Sequence, residues 1–198
     1  MECFVLAGGR SRRFGENKLL FSIGGEKLIE HVVKTLKPVC KRLCLVVKNR
    51  EEFDFLADLE IIEDIVEKQF ALAGVYTALK ATKGKKALIV SGDMPLLSRD
   101  VILYLWEHSE PPITLYKIGG RYYPLLGVYY KDVLNSLEQY IISGGEKVLQ
   151  WVQNVGFKEI GEDQIRELDP ELLSFVNVNT REDAEIIIKR YGGEGLES

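Results

Sequence analysis

The chain has 198 residues, 46% of them hydrophobic, with a formal net charge of −4. That is enough to bury one sizeable core, and it lacks the basic surplus of a general nucleic-acid binder. No apolar run reaches membrane-spanning length and nothing ahead of the first apolar run reads as a signal peptide, so a soluble, cytoplasmic protein with no membrane or nucleic-acid partner is expected.

Strand and helix signals alternate from the start. Cys3–Ala7 reads as a buried strand that runs straight into a glycine-rich, cationic loop ending near Lys18. Glu26–Lys37 reads as a helix with Leu28, Ile29, Val32, Val33 and Leu36 on one face, ended by Pro38. Leu43–Val47 is the next strand and Glu60–Ile62 a short one. Ala71–Ala81 fits a helix broken by Gly84, and Ala87–Ser91 a strand of the parallel-sheet type. Ser98 can cap a helix reaching about His108. Ile113–Ile118 and Tyr122–Tyr130 read as a hairpin joined by Gly119-Gly120. Helices are expected at Lys131–Ile141 and Glu146–Val155. A strand at Phe175–Val178 precedes a last helix, with Thr180 to Asp183 as its capping box.

This order predicts an α/β, Rossmann-like, doubly wound and mostly parallel sheet, with an antiparallel component in the C-terminal half. A single domain over residues 1–191 is expected, followed by a frayed tail over 192–198.

Three cysteines, Cys3, Cys40 and Cys44, do not read as a disulfide framework, and Cys40-x-x-x-Cys44 lacks a second pair for zinc. Cys3 and Cys44 are expected as buried hydrophobes in a reducing setting.

Charge is uneven along the chain. Residues 1–50 hold eleven Lys/Arg against four Glu, a balance of +7 that leaves −11 for the rest. A basic quarter in an acidic protein suits a local anionic ligand. Gly8 and Gly9 lack a Cβ, so backbone N–H groups there can close on phosphate oxygens, and Arg10, Arg12, Arg13 and Lys18 add charge. In parallel sheets ligands bind at the carboxyl ends of strands, so a triphosphate is the natural occupant. The spacing matches neither the P-loop nor the dinucleotide fingerprint. A solvated basic turn is the alternative.

Taken whole, Leu6-Ala7-Gly8-Gly9 with Arg13, Gly15 and Lys18 resembles the nucleotidylyltransferase signature L-A-G-G-x-x-x-R-x-G-x-x-K. Three further segments resemble one branch, the molybdenum cofactor guanylyltransferases of the MobA type. They are Ile62-Glu63-Asp64, Leu72-Ala73-Gly74 and Phe175-Val176-Asn177-Val178-Asn179-Thr180. The resemblance runs from Leu6 to about Asp183.

Each candidate has a plainer alternative. Lys18, just past the loop, can neutralise charge on transferring phosphates, or be an ordinary exposed lysine. Arg13 can do the same or form a structural ion pair. Asp93, after the strand Ala87–Ser91, can seat Mg²⁺, which takes one or two carboxylates with phosphates and water. It can equally make a turn before Pro95. By resemblance, Leu6, Ala7, Gly8, Gly9, Lys18, Asp64, Gly74 and Asp93 contact the nucleotide. Gly74 can also be a helix-packing glycine, and Phe70 departs from the Gly or Pro of many relatives. Asn177 and Asn179 alternate with valines, so a strand would aim both amides one way, towards the pterin substrate or simply at a polar edge. His31, His108, Trp106 and Trp151 read as structural. Tyr122, Tyr123, Tyr129 and Tyr130 could flank a planar ligand, but strand packing explains them equally well.

The resemblance implies a Mg²⁺-dependent transfer of GMP from GTP to the terminal phosphate of molybdopterin. A monomer with transient contacts to cofactor-synthesis or molybdoenzyme partners is expected, though no residue pattern specifies either. The competing readings are a cytidylyl- or sugar/polyol-phosphate nucleotidylyltransferase, and a non-catalytic nucleotide sensor. The already ionised acceptor phosphate needs no general base, in keeping with a chain that offers no Ser-His-Asp or Cys-His arrangement.

Overall fold

A computed structural model describes residues 1–8, 17–66 and 70–191. The expected loop residues Gly9, Arg10, Arg12, Arg13 and Gly15, and the expected frayed tail, lie outside the described residues. Nine strands are described: β1 (Glu2–Leu6), β2 (Ser22–Ile23), β3 (Glu26–Lys27), β4 (Arg42–Val47), β5 (Glu60–Glu63), β6 (Lys86–Ser91), β7 (Ile113–Ile118), β8 (Arg121–Tyr130) and β9 (Lys158–Gly161). The α-helices are α1 (Leu28–Leu36), α2 (Ala71–Ala81), α3 (Arg99–Glu107), α4 (Leu134–Ile142), α5 (Val148–Val155) and α6 (Arg181–Tyr191).

Seven strands form one sheet in the order β5-β4-β1-β6-β8-β7-β9. Its pairs are parallel except those that β8 makes with β6 and β7. The expected parallel sheet with an antiparallel component is therefore the observed one. Alternation along the strands splits the core into two layers, one on each face. Val5, Val90, Val128 and Phe175 belong to the first, and Phe4, Ile89, Tyr129 and Trp151 to the second. Each fully buried Val, Leu, Ile or Phe contributes about 1.5–3 kcal/mol. The hairpin turn uses Gly119 and Gly120, both at positive φ (55° and 76°), as a two-residue turn with left-handed central residues requires.

Two expectations are corrected and one strand is added. Phe175–Val178 is not a strand: a 3₁₀ turn covers Leu173–Phe175, and the chain beyond it pairs with no sheet edge. The Asp169 carboxylate accepts from Leu173 N and Ser174 N and winds that turn, while Val178 N donates to Asp93 O at 2.9 Å. Lys158–Gly161, which carries no strong alternation, is a strand because β7 offers it a parallel edge. Finally, Cys3 and Cys40 form a disulfide, with Cα atoms 6.0 Å apart. Lys41 N donates to Met1 O, and Glu2 stands opposite Arg42, so Cys40 enters β4 beside the start of β1. Sequence spacing carries no trace of that adjacency. Cys44 is the buried hydrophobe expected, its thiol pushed up to about 12 by burial. The disulfide withdraws the cysteine argument for a reducing setting. Among the described residues, no helix is long and apolar enough to cross a membrane.

Candidate active site

β1 and β6 are parallel neighbours, so the segments following both leave the same edge of the sheet. Gly92 N donates to Leu6 O at 3.1 Å and closes the two strand ends together. A Cβ on Gly92 would meet Ile29 Cδ1 at 2.8 Å and the Leu6 carbonyl at 3.2 Å, so a side chain there would require Ile29 to shift. That contact fixes Asp93, one residue later, beside the exit of the glycine loop.

Lys18 opens a 3₁₀ turn, Lys18–Leu20, capped by the Asn17 side chain. The turn buries Leu19 and sends the Lys18 side chain inward. Its ammonium donates to Asp93 Oδ2 at 2.6 Å, to the Val178 carbonyl at 2.8 Å and to Asn179 Oδ1 at 3.2 Å. Three oxygens thus converge on one cation. Asn177 Nδ2 donates to Asp93 Oδ1 at 2.8 Å, so both carboxylate oxygens are engaged. Asp93 is not a turn cap, and Lys18 is not an exposed lysine, its side chain being only 16% exposed.

Asn177 and Asn179 reach one cluster without a strand. The Val178 amide bond to Asp93 O pins the segment between them. Next along the chain, Thr180 and Asp183 form the expected capping box of α6. Burial pushes the Asp183 carboxyl up. Hydrogen bonds from the Asn179 and Thr180 amides, with the charge of Lys18, outweigh that and hold it below its ordinary value. Lys18 therefore sits in the field of two carboxylates.

Asp64 and Gly74 lie elsewhere on the same edge. Asp64 follows β5, and its side chain is 5% exposed. Its Oδ1 accepts from Thr77 Oγ1 at 2.8 Å and Val66 N at 3.1 Å, while Lys48 Nζ lies 3.3 Å from Oδ2. Lys48, which follows β4, also donates to the Val66 carbonyl. A Cβ on Gly8 would lie 3.6 Å from Lys48 Cγ, which ties this group to the glycine loop. The Cβ direction of Gly74 is filled by the Leu6 side chain at 3.3 Å, so this glycine packs α2 onto the end of β1. Leu6 and Gly8 are partly buried at the loop's start, and Ala7 is buried, its N–H donated to Val46 O. Gly9 and Arg13 lie outside the described residues.

Sequence reasoning missed Lys48, the Val178 carbonyl and the tight packing around Gly92. A carbonyl has no sequence signature, and Lys48 is one lysine among many. His31 is structural as expected: it is buried and hydrogen-bonded to the Ile23 carbonyl.

The groups that converge on the Lys18 ammonium are all oxygen: one carboxylate, one amide oxygen and one carbonyl. That chemistry fits a hard divalent cation that takes few protein carboxylates. Among the described residues, no group of three His, Cys, Asp or Glu could hold a metal without help from substrate.

Residues 3–156 match the family described as MobA-like NTP transferase domain. An Aquifex aeolicus protein named "Probable molybdenum cofactor guanylyltransferase" is 38% identical, over 94% of this chain and 89% of that protein. A Syntrophotalea carbinolica protein named "Molybdenum cofactor guanylyltransferase" is 26% identical, over 91% of this chain and 87% of its own. The crystal structure of molybdopterin-guanine dinucleotide biosynthesis protein A from Archaeoglobus fulgidus superposes with a TM-score of 0.83 at 26% identity. That superposition covers 96% of this chain and 97% of that one.

Proposed function

Since the chain belongs to the MobA-like NTP transferase family, we propose that it transfers GMP from GTP to the terminal phosphate of molybdopterin, with pyrophosphate leaving. The observation that carries the reading is the convergence of Asp93, Val178 and Asn179 oxygens on the Lys18 ammonium at the end of β1 and β6. A nucleotidyl transfer needs a mobile cation and a fixed carboxylate at one point, and these residues supply both. Guanine and molybdopterin come from the names of the relatives.

An oxygen of the acceptor phosphate attacks the α-phosphorus of GTP. A new P–O bond forms, the α–β bridging bond breaks, and its electron pair leaves with pyrophosphate. The nucleophile is already ionised, so the protein positions and neutralises charge rather than moving a proton. Lys18 offsets charge gathering on the phosphates, and Arg13 from the glycine loop is assigned the same task. Asn177 and Asn179 orient the acceptor beside Asp93. Mg²⁺ is part of the proposal: Asp93, with neighbouring amide and carbonyl oxygens, would hold it, and it would offset phosphate charge when bound. Leu6, Ala7, Gly8, Gly9, Asp64 and Gly74 form the nucleotide side.

Residues 1–191 act as one catalytic unit in this reading, because one sheet runs through strands from Glu2 to Gly161. A cytoplasmic, monomeric enzyme completes the proposal. Its support is the substrate class, since GTP is an intracellular nucleotide.

The test is incubation of the protein with molybdopterin and each of the four nucleoside triphosphates, with pyrophosphate release and dinucleotide mass as readouts. A guanine dinucleotide formed from GTP, with the other three slower by at least tenfold, is expected. A product from CTP in preference would move the chain to a cytidylyltransferase, and binding without pyrophosphate release would make it a sensor.

A further inference from the structure

Strand β8 carries an irregularity that the reaction has not yet absorbed. Its pairing with β7 jumps from Leu115↔Gly127 to Tyr116↔Tyr123, leaving Pro124, Leu125 and Leu126 without partners on β7. Three inserted residues reverse the parity of side chains along a strand. Beyond the bulge, Leu126 and Val128 face the core layer that holds Val5, Leu19 and Phe175, and Tyr129 faces the other. Before it, Tyr123 joins the layer of Phe175, its ring 5.0 Å from that of Phe175, while Tyr122 packs against Phe157 on the opposite side. The bulge thus aims Tyr123, and with it Arg121 two residues earlier, at the face where the 173–179 segment lies.

The placement along the sheet edge is specific. β8 neighbours β6, with Val90 opposite Leu126, so going back from Leu126 the strand passes alongside the Asp93 end of β6. In sheet order, the nucleotide-side residues follow β1, β4 and β5, on one flank of Asp93. Arg121 and Tyr123 lie on the other flank. Phe175, against which Tyr123 packs, is two residues before Asn177, the partner of Asp93.

The chemistry is specific too. The Arg121 guanidinium lies 5.2 Å from the Tyr123 ring centroid and makes no ion pair among the described residues. The hairpin's other cation, Lys117, is neutralised by Glu159. An exposed planar cation held over a ring by stacking is pre-organised for a flat anionic partner, because its five donors form a rigid fork. We infer that Arg121, stacked on Tyr123, binds the acceptor substrate, a phosphate ester of a flat heterocycle, and not the nucleotide. This rests on the transfer reaction proposed above.

The test is Arg121→Ala, with Arg121→Lys as the conservative variant. For Arg121→Ala, the KM for molybdopterin should rise about ten- to a hundredfold, as for a lost charged hydrogen bond. GTP affinity by calorimetry and the melting temperature should stay at wild-type values. Arg121→Lys, which keeps the charge but not the fork, should fall between. An unchanged KM for molybdopterin, or GTP affinity falling in parallel with it, would overturn the subsite while leaving the reaction intact. If the wild-type protein itself makes no dinucleotide from molybdopterin, the reaction falls and this subsite with it.

Discussion

The Lys18 ammonium and the Asp93 carboxylate are 2.6 Å apart across 75 residues of sequence. The side chain expected to meet phosphate and the one expected to meet a metal therefore hold each other. In the proposed reaction, a divalent cation taken up by Asp93 with the nucleotide would compete with Lys18 for the carboxylate, and the displaced ammonium would turn to the phosphates.

Lys18→Ala is expected to lower turnover on the order of a hundredfold, as for loss of one charge-stabilising donor. It should also destabilise the ligand-free protein by about 1–3 kcal/mol, because a partly buried carboxylate loses a partner. Mg²⁺ should then raise the melting temperature of the variant more than that of the wild type. Equal shifts in both proteins would show that ammonium and metal do not share the carboxylate. Pyrophosphate release and thermal melts with and without Mg²⁺ give both readouts.

Asp93→Asn should move the Mg²⁺ titration of activity to higher concentration or prevent its saturation. The amide keeps an acceptor oxygen but not the charge that holds a hard cation. An unchanged titration curve would place the metal on other groups.

Cys40→Ser should lower stability by about 2–4 kcal/mol in urea denaturation, in line with chain-entropy values for a closed loop of this size. The disulfide spans 37 residues, which include the glycine loop and Lys18. A reductant should reproduce the loss in the wild type and leave Cys40→Ser unaffected. A midpoint indifferent to reductant would mean the thiols are unpaired in solution.

Acid should reveal a second staple beside the disulfide, at the starts of β4 and β5. The Arg42 guanidinium hydrogen-bonds Glu60 and holds its carboxyl down from 4.5 to about 2. A depressed carboxyl stabilises the fold above its unfolded value and loses that contribution as pH falls through the folded one. The stability gap between wild type and Glu60→Gln should therefore be full at pH 7, shrink below about pH 4.5 and vanish near pH 2. Melts across that window check it. A gap that widens on acidification would assign the shift to another group.

The central strands were legible because each is a short apolar run bounded by Gly, Pro or charge, whereas Lys158–Gly161 was not. The Asp93 position was legible because it follows closely on such a run, and Lys18 because it closes the glycine loop that leaves the neighbouring strand at the same edge. Asn177 and Asn179 were singled out by alternation in a segment that pairs with no strand, and their side chains reach Asp93 and Lys18 without one. The Cys3–Cys40 bond escaped because its partners meet only through the register of β1 and β4. The aim of Arg121 escaped because the parity of β8 is set by three residues whose lack of partners appears only in the pairing.

The Lys18 to Val178 hydrogen bond joins residues 160 positions apart. On a ribosome, the core strands and the glycine loop have emerged long before residue 179 does. A nascent chain can thus assemble a nearly complete sheet while Lys18 still lacks two of its three oxygens. Both of those oxygens arrive with the segment around Val178, so a chain cut short before Phe175 would lack them together with the core contacts of Phe175 and Val178.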